Sequence, residues 1–216
     1  MKKVFLFLLA SMAMVSCGSD DGDGGSKRPS SVTIVGGNES YLFSMTYDKG
    51  RLNTLSSNYG GAHTFTFAYN GQGKVSTVSA TGSTTDPIAF TYDGSGKLSS
   101  VTRSGQTFPV TWSDATTANI DGSTVKVDER GDIVMMDGAI VTRDTGKGAF
   151  ANVKGVDGLT LYLTEILTFY YAGKRPLKTV TGSGVGVVFS NETQGGMLKS
   201  ATFASSGTTY TMNITY

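Results

Sequence analysis

Few side chains in this chain can do acid–base, nucleophilic or metal chemistry. His63 is the one histidine and Cys17 the one cysteine, which excludes an intrachain disulfide and leaves a structural zinc site without a ligand set. A lone histidine in the turn after Tyr59-Gly60-Gly61-Ala62 is expected to face solvent rather than to act as a base or ligand. Gly-x-Ser-x-Gly, Gly-x-Gly-x-x-Gly and the phosphate-cradling Gly-x-x-x-x-Gly-Lys-Ser/Thr are absent, so neither a nucleophile elbow nor a phosphate loop is present. Glycoside hydrolysis asks for less, since two carboxyls about 5–10 Å apart suffice. Asp128, Glu129, Asp132, Glu165 and Glu192 are the candidates. Asp128 to Asp132 fall where the chain repeats a turn, and acids are the usual formers of such turns. Trp112 could offer a sugar a stacking face, but a single Trp in a strand more often fills core space.

The elements that must position these residues are strands. The chain has 216 residues, with 24 Ser, 29 Thr and 22 aromatics against 4 Pro, a composition that suits half-buried pleated strands. Its formal net charge of +1 gives no electrostatic reason to propose nucleic acid as a partner. Phe65, Phe67 and Tyr69 alternate with Thr64, Thr66 and Ala68, and Ile88, Phe90 and Tyr92 follow the same rule, so one face is buried and the other wet.

Between such strands one plan recurs. Tyr47-Asp48-Lys49-Gly50-Arg51-Leu52, Tyr69-Asn70-Gly71-Gln72-Gly73-Lys74-Val75 and Tyr92-Asp93-Gly94-Ser95-Gly96-Lys97-Leu98 share it, with weaker copies at Gly131, Gly173 and Gly196. In the third copy Asp93 can accept a bond from the backbone two residues on, and Gly96 supplies the positive φ of a bulged hairpin turn. Sequential hairpins make an up-and-down antiparallel meander, read here as an all-β curved sheet or a closed barrel, closure being favoured because it removes edges. The pattern breaks over 144–173. An ordered loop follows Asp144, and Leu159, Tyr162, Leu163, Ile166, Leu167 and Tyr170 recur at helical spacing, which indicates a short helix over about 158–171 able to cap an open end. Leu159, Leu161 and Leu163 also alternate, so a strand competes for the same residues.

Lys2 and Lys3 precede an apolar run from Val4 to Val15, the length of a signal-peptide core and too short to cross a membrane as a helix. Met14-Val15-Ser16-Cys17 resembles the lipobox of bacterial lipoproteins, which implies a leader over 1–16 and a lipid on Cys17. The Gly/Ser/Asp stretch that follows has nothing to bury and reads as a tether over 17–31, ahead of one β-domain over 32–216. Its three aspartates lack the distal Glu of a calcium loop. Acids just behind the lipidated residue resemble the export signal of Bacteroides-type surface lipoproteins, which implies anchorage in the outer membrane, facing outward.

Tyr-Asp-x-x-Gly-Lys-Leu at 92–98 is similar to the YD repeat of Rhs and teneurin proteins, though three good copies are too few for their cargo shell. Lipobox, acidic tether, Tyr-Asp hairpins and the Lys-Gly-Ala-Phe-Ala-Asn-Val loop at 147–153 together resemble the Bacteroides-type outer-membrane lipoproteins of unknown function with a porin-like β-fold. The resemblance implies a fold and carries no catalytic residues. Strands of six to eight residues with Thr, Ser and Ala on the second face are not those of a membrane-spanning wall. The expectation is a non-enzymatic binding or scaffold domain without cofactor or metal. Its candidate ligand loop holds Tyr59 and His63, with 144–158 as a second loop, and the expected partner is a glycan or a surface protein. The alternatives are a carboxylate-based glycoside hydrolase and a structural subunit of an outer-membrane assembly.

Overall fold

A computed structural model describes residues 27–82, 87–182 and 184–216; the leader, Cys17 and most of the expected tether lie outside the described residues. The described chain forms one closed antiparallel barrel. Its strands are β1 (Ser31–Gly36), β2 (Glu39–Asp48), β3 (Arg51–Ser57), β4 (His63–Tyr69), β5 (Val75–Thr81), β6 (Ile88–Tyr92), β7 (Leu98–Arg103) and β8 (Gln106–Trp112). The ring continues through β9 (Thr117–Ile120), β10 (Ser123–Val127), β11 (Ile133–Met136), β12 (Ala139–Arg143), β13 (Leu177–Gly182), β14 (Val185–Gln194), β15 (Met197–Ser205) and β16 (Thr208–Thr215). Each strand pairs with its neighbours in sequence, and β1 pairs with β16 from Ser31↔Thr215 to Gly36↔Tyr210, so the meander closes. Of the two shapes the sequence left open, the barrel is the one formed.

The turns carry the repeat. Asp93 Oδ1 accepts the amides of Ser95 and Lys97, each at 2.9 Å, while Gly96, at φ +81°, donates its amide to the Asp93 carbonyl. Asn70 and Asp128 make the same bonds in their own turns, so the copy at Gly131 is a hairpin like the others. The first copy is one residue shorter than the other two, and its Lys49 and Gly50 form a tight two-residue turn with both φ positive. The copy read at Gly173 is not a hairpin. Gly173 belongs to the long β12–β13 connection, and only the strand after it, β13, fits the pattern.

Strand lengths run from four to ten residues, a wider range than the sequence indicated. Inward residues such as Phe43, Leu55, Phe65, Phe90 and Phe203 form the core, as the alternation required. Outward, hydroxyls meet across strands: Thr46 with Thr54 at 2.7 Å, Thr91 with Ser100 at 2.6 Å, Thr142 with Thr179 at 2.7 Å.

Repeats are also bound to each other through their rings. The Tyr69 hydroxyl donates to the Leu52 carbonyl at 2.6 Å, Tyr92 to Val75 at 2.8 Å, and the Trp112 indole N–H to Leu98 at 2.8 Å. Over the same rings lie the cations of the preceding turn: Arg51 over Tyr69, Lys74 over Tyr92, Lys97 over Trp112, at 5.3, 5.4 and 4.7 Å. The turn glycines leave room for them, since a Cβ on Gly73 would stand 2.9 Å from the Arg51 guanidinium and one on Gly96 3.3 Å from Lys74. Residues ahead of β1 begin the series, with Tyr47 donating to the Pro29 carbonyl and Arg28 lying against Gly50. Trp112 is thus a half-buried rung between repeats that also packs against the core.

Sixteen strands enclose more space than their own side chains fill. The β12–β13 connection occupies it. It carries two short helices, α1 (Gly158–Thr164) and α2 (Thr168–Tyr171), which settles helix over strand in this stretch. Asp157 caps α1 by accepting the Thr160 amide at 2.8 Å. The connection touches inward residues around the ring: Tyr171 meets Phe43 of β2, Glu165 meets His63 of β4, Leu163 meets Arg103 of β7, and Tyr170 meets Phe189 and Phe203 of β14 and β15. A segment with neighbours on all sides of a closed ring lies within it. The sequence reading placed a cap on an open end here; the chain instead forms a plug, with Phe150, Leu161 and Tyr171 at most 2% exposed.

Candidate functional site

Because consecutive strands alternate in direction, the turns sort onto two ends. Lys27, Tyr216, the Tyr-Asp turns and both legs of the plug share one end, called proximal here. The tight turns at 37–38, 104–105, 121–122, 137–138 and 206–207, and the loop at 58–62, form the distal end. The apex of the plug, between α1 and α2, reaches it.

Proximally the plug is stapled down. Asp132, 1% exposed, accepts the amides of Lys174 at 2.7 Å and Arg175 at 3.0 Å, and Asp128 Oδ2 takes the Arg175 guanidinium at 2.5 Å. Lys174 Nζ donates to the Phe150 and Val153 carbonyls, and burial pulls its pKa down. Asp128 and Asp132 are therefore structural ligands of the plug, beyond the turn-forming role read for them. A hollow of about 570 Å³ opens nearby, but Lys74, Tyr92, Lys97 and Trp112 on its walls already pair among themselves. Glu192 bonds Ser200 at 2.9 Å on the barrel exterior.

His63 is not solvent-facing. Its side chain is 9% exposed, Nε2 lies 3.2 Å from Glu165 Oε2, and its ring packs edge-on against Phe65. The reason is the plug, which brings Glu165 up to β4 from 102 positions away. Glu165 is itself buried and accepts the Leu167 amide at 3.3 Å, so this pair holds the apex of the plug to the wall. Among the described residues no group of three His, Cys, Asp or Glu could hold a metal ion.

Tyr59 leads elsewhere. It meets Tyr41 edge-on at 5.4 Å and borders a distal cleft of about 190 Å³ with Ile34, Glu39, Tyr41, Leu167, Tyr170, Phe203, Ser205 and Tyr210. Barrel closure assembles it. Glu39 of β2 stands opposite Gly36 of β1, which stands opposite Tyr210 of β16. A Cβ on Gly36 would fall 2.4 Å from the Tyr210 ring. The bare backbone lets that ring lie across β1 so that its hydroxyl donates to Glu39 Oε2 at 2.7 Å. Tyr210, Phe203 and Tyr170 then stack in sequence, at 5.5 Å and 5.1 Å with planes 17° and 10° apart. The Tyr210 phenol is raised above its ordinary pKa mainly by its bond to Glu39, and that of Tyr41 mainly by burial, then by Glu39. Both are neutral donors and acceptors beside a carboxylate.

The sequence singles out Tyr59 among the residues of this cleft, but not Glu39, Tyr41, Tyr170 or Tyr210 as its companions. The pairing of the first strand with the last is what gathers them, and no local pattern signals it. Among the described residues no helix is long and apolar enough to cross a membrane.

The fold and the cleft define a plugged antiparallel β-barrel with an aromatic, singly acidic recess at one end. No family model matches the sequence, and no curated protein matches it. Among solved structures, a porin-like protein from Bacteroides vulgatus ATCC 8482 superposes with a TM-score of 0.44 over 88% of this chain and 99% of that one, at 11% identity.

Proposed function

We propose that this chain is a non-enzymatic binding barrel, tethered to the outer membrane through a lipid on Cys17 and presenting its distal cleft to a glycan outside the cell. One observation carries the reading: tyrosines from β2, the β3–β4 loop, the plug and β16 line one cleft with Glu39, at the end opposite residues 27 and 216. Aromatic faces stack on the C–H faces of sugars, and a carboxylate with neighbouring phenols accepts and donates to sugar hydroxyls. Loops and strand ends on a rigid scaffold are where recognition commonly resides.

Three features favour a barrel that binds over one that conducts or hydrolyses. The plug packs inside the lumen, and the outward wall pairs hydroxyls across strands, with Val35, Leu42, Ile140 and Val188 as scattered exposed apolar residues, where a lipid-facing wall carries a continuous apolar band. The cleft is lined by one carboxylate, Glu39, whereas sugar hydrolysis uses two. The test is a polysaccharide panel against the full chain in detergent, with Tyr59→Ala and Tyr170→Ala as controls. Saturable retention without turnover, weakened about tenfold by each substitution, is expected, since an aromatic contact is worth about 1 kcal/mol or more. Turnover abolished by a single Asp or Glu substitution would overturn the reading.

A further inference from the structure

We infer that the distal cleft selects a saccharide bearing a protonated amine, an inference that rests on the glycan reading of the same cleft. It is lined by five aromatic side chains, whose ring quadrupoles attract cations, and by one carboxylate. No Lys, Arg or His lines it, and among the described residues Glu39 has no cationic partner; its bond is to a neutral phenol. An ammonium bound beside Glu39 would complete a charge pair that the protein leaves open.

The surroundings agree in sign. Glu39, Asp121 and Asp137 stand at the distal strand ends and turns, with Glu165 on the plug apex. Arg103 is the one Lys or Arg there among the described residues, and its guanidinium donates to the Leu163 carbonyl. The proximal end has the opposite balance, with exposed Lys27, Lys49, Arg51, Arg130, Lys147 and Lys154 against exposed Asp48, Asp93, Asp114 and Glu129. A cation approaching the barrel is therefore drawn toward the cleft, and an anionic sugar is repelled from it. At about 190 Å³ the cleft is smaller than the roughly 300–1,000 Å³ of drug-sized sites and suits one sugar ring.

The experiment is calorimetric titration of the full chain in detergent, at mildly acidic pH, with three disaccharides of matched linkage. These are the free-amine glucosamine dimer, its N-acetylated form and the neutral glucose dimer. The amine is expected to bind about tenfold more tightly than the other two, about 1.4 kcal/mol. Glu39→Gln should erase that preference, weakening the amine dimer about tenfold more than it weakens the neutral one. Tyr210→Phe keeps the ring and releases the carboxylate oxygen, so it should retain the preference, which guards against a folding defect in the first variant. Equal affinity for all three sugars, or a preference that survives Glu39→Gln, overturns the inference and leaves the glycan reading standing. Binding of none of the three overturns that reading and the inference together.

Discussion

Asp132 and Lys174, 42 positions apart, meet where the plug leaves the barrel, the Lys174 amide donating to Asp132 Oδ1 at 2.7 Å. The second carboxylate oxygen takes the Arg175 amide, so one buried side chain closes two backbone donors that water does not reach. Asp132→Ala strands both donors and leaves the Arg175 guanidinium with Asp128 alone. The expected loss is about 3 kcal/mol, visible as a lower denaturant midpoint. Amides of α1 and α2 should exchange faster than those of the wall, because the staple holds the plug and not the strands. Uniform acceleration across the barrel would contradict this division.

The ring-to-carbonyl bonds between repeats make a second expectation. Tyr92→Phe keeps the ring under Lys74 and removes the hydroxyl that reaches Val75. A cost of about 1 kcal/mol follows from one lost hydrogen bond. Lys97→Gln tests the other half of the rung, and a half-exposed cation–π contact predicts about 0.5–1 kcal/mol. Trp112, the one tryptophan, reports that change directly through its fluorescence.

How far the sequence spoke follows from range. Asp93 and Gly96 were readable because a turn is decided within five residues, and Phe65, Phe67 and Phe90 because burial on one face is written in the alternation. The repeat spacing told that units recur, but not that Lys74 of one turn lies over Tyr92 of the next. That contact depends on how hairpins stack across the wall. Gly173 misled because a glycine at the repeat interval looks the same whether it turns a hairpin or permits a crossing; here the plug's two legs cross, with Gly148 donating to the Lys174 carbonyl at 2.7 Å. His63 and Glu165 were each singled out, yet only a segment folded back through the lumen could pair them.

Tyr171 is buried in the plug with a hydroxyl that has no hydrogen-bond partner among the described residues. Burial, and then the charge of Glu165, push its pKa well above the usual tyrosine range, so the phenol is neutral and its O–H unmatched. An unsatisfied buried hydroxyl costs about 1–3 kcal/mol. Tyr171→Phe preserves the contacts with Phe43 and Phe150 and removes that penalty. The variant is expected to be about 1 kcal/mol more stable than the parent, raising the denaturant midpoint with an unchanged slope. A lower midpoint would mean that the hydroxyl is bonded in solution.

Alkali should unfold the barrel through the same tyrosines that tie its repeats. Burial pushes Tyr92 and Tyr216 up to about 12, and Tyr69 and Tyr47 beyond that range. Each donates its hydroxyl to a backbone carbonyl, an act open only to the neutral phenol. In the unfolded chain a phenol ionises near pH ~10. The folded values are raised, so their contribution is complete below about pH 10 and is lost as pH rises toward the folded values, because the unfolded state releases the proton first. Stability measured by denaturant titration should stay level from neutral pH to about 9 and fall steeply from about 10 to 12. Tyr92→Phe removes one of the linked protons, so its curve should start lower and decline less steeply. Parallel curves for parent and variant would show that Tyr92 ionises alike in both states, and the rung would then be open to solvent.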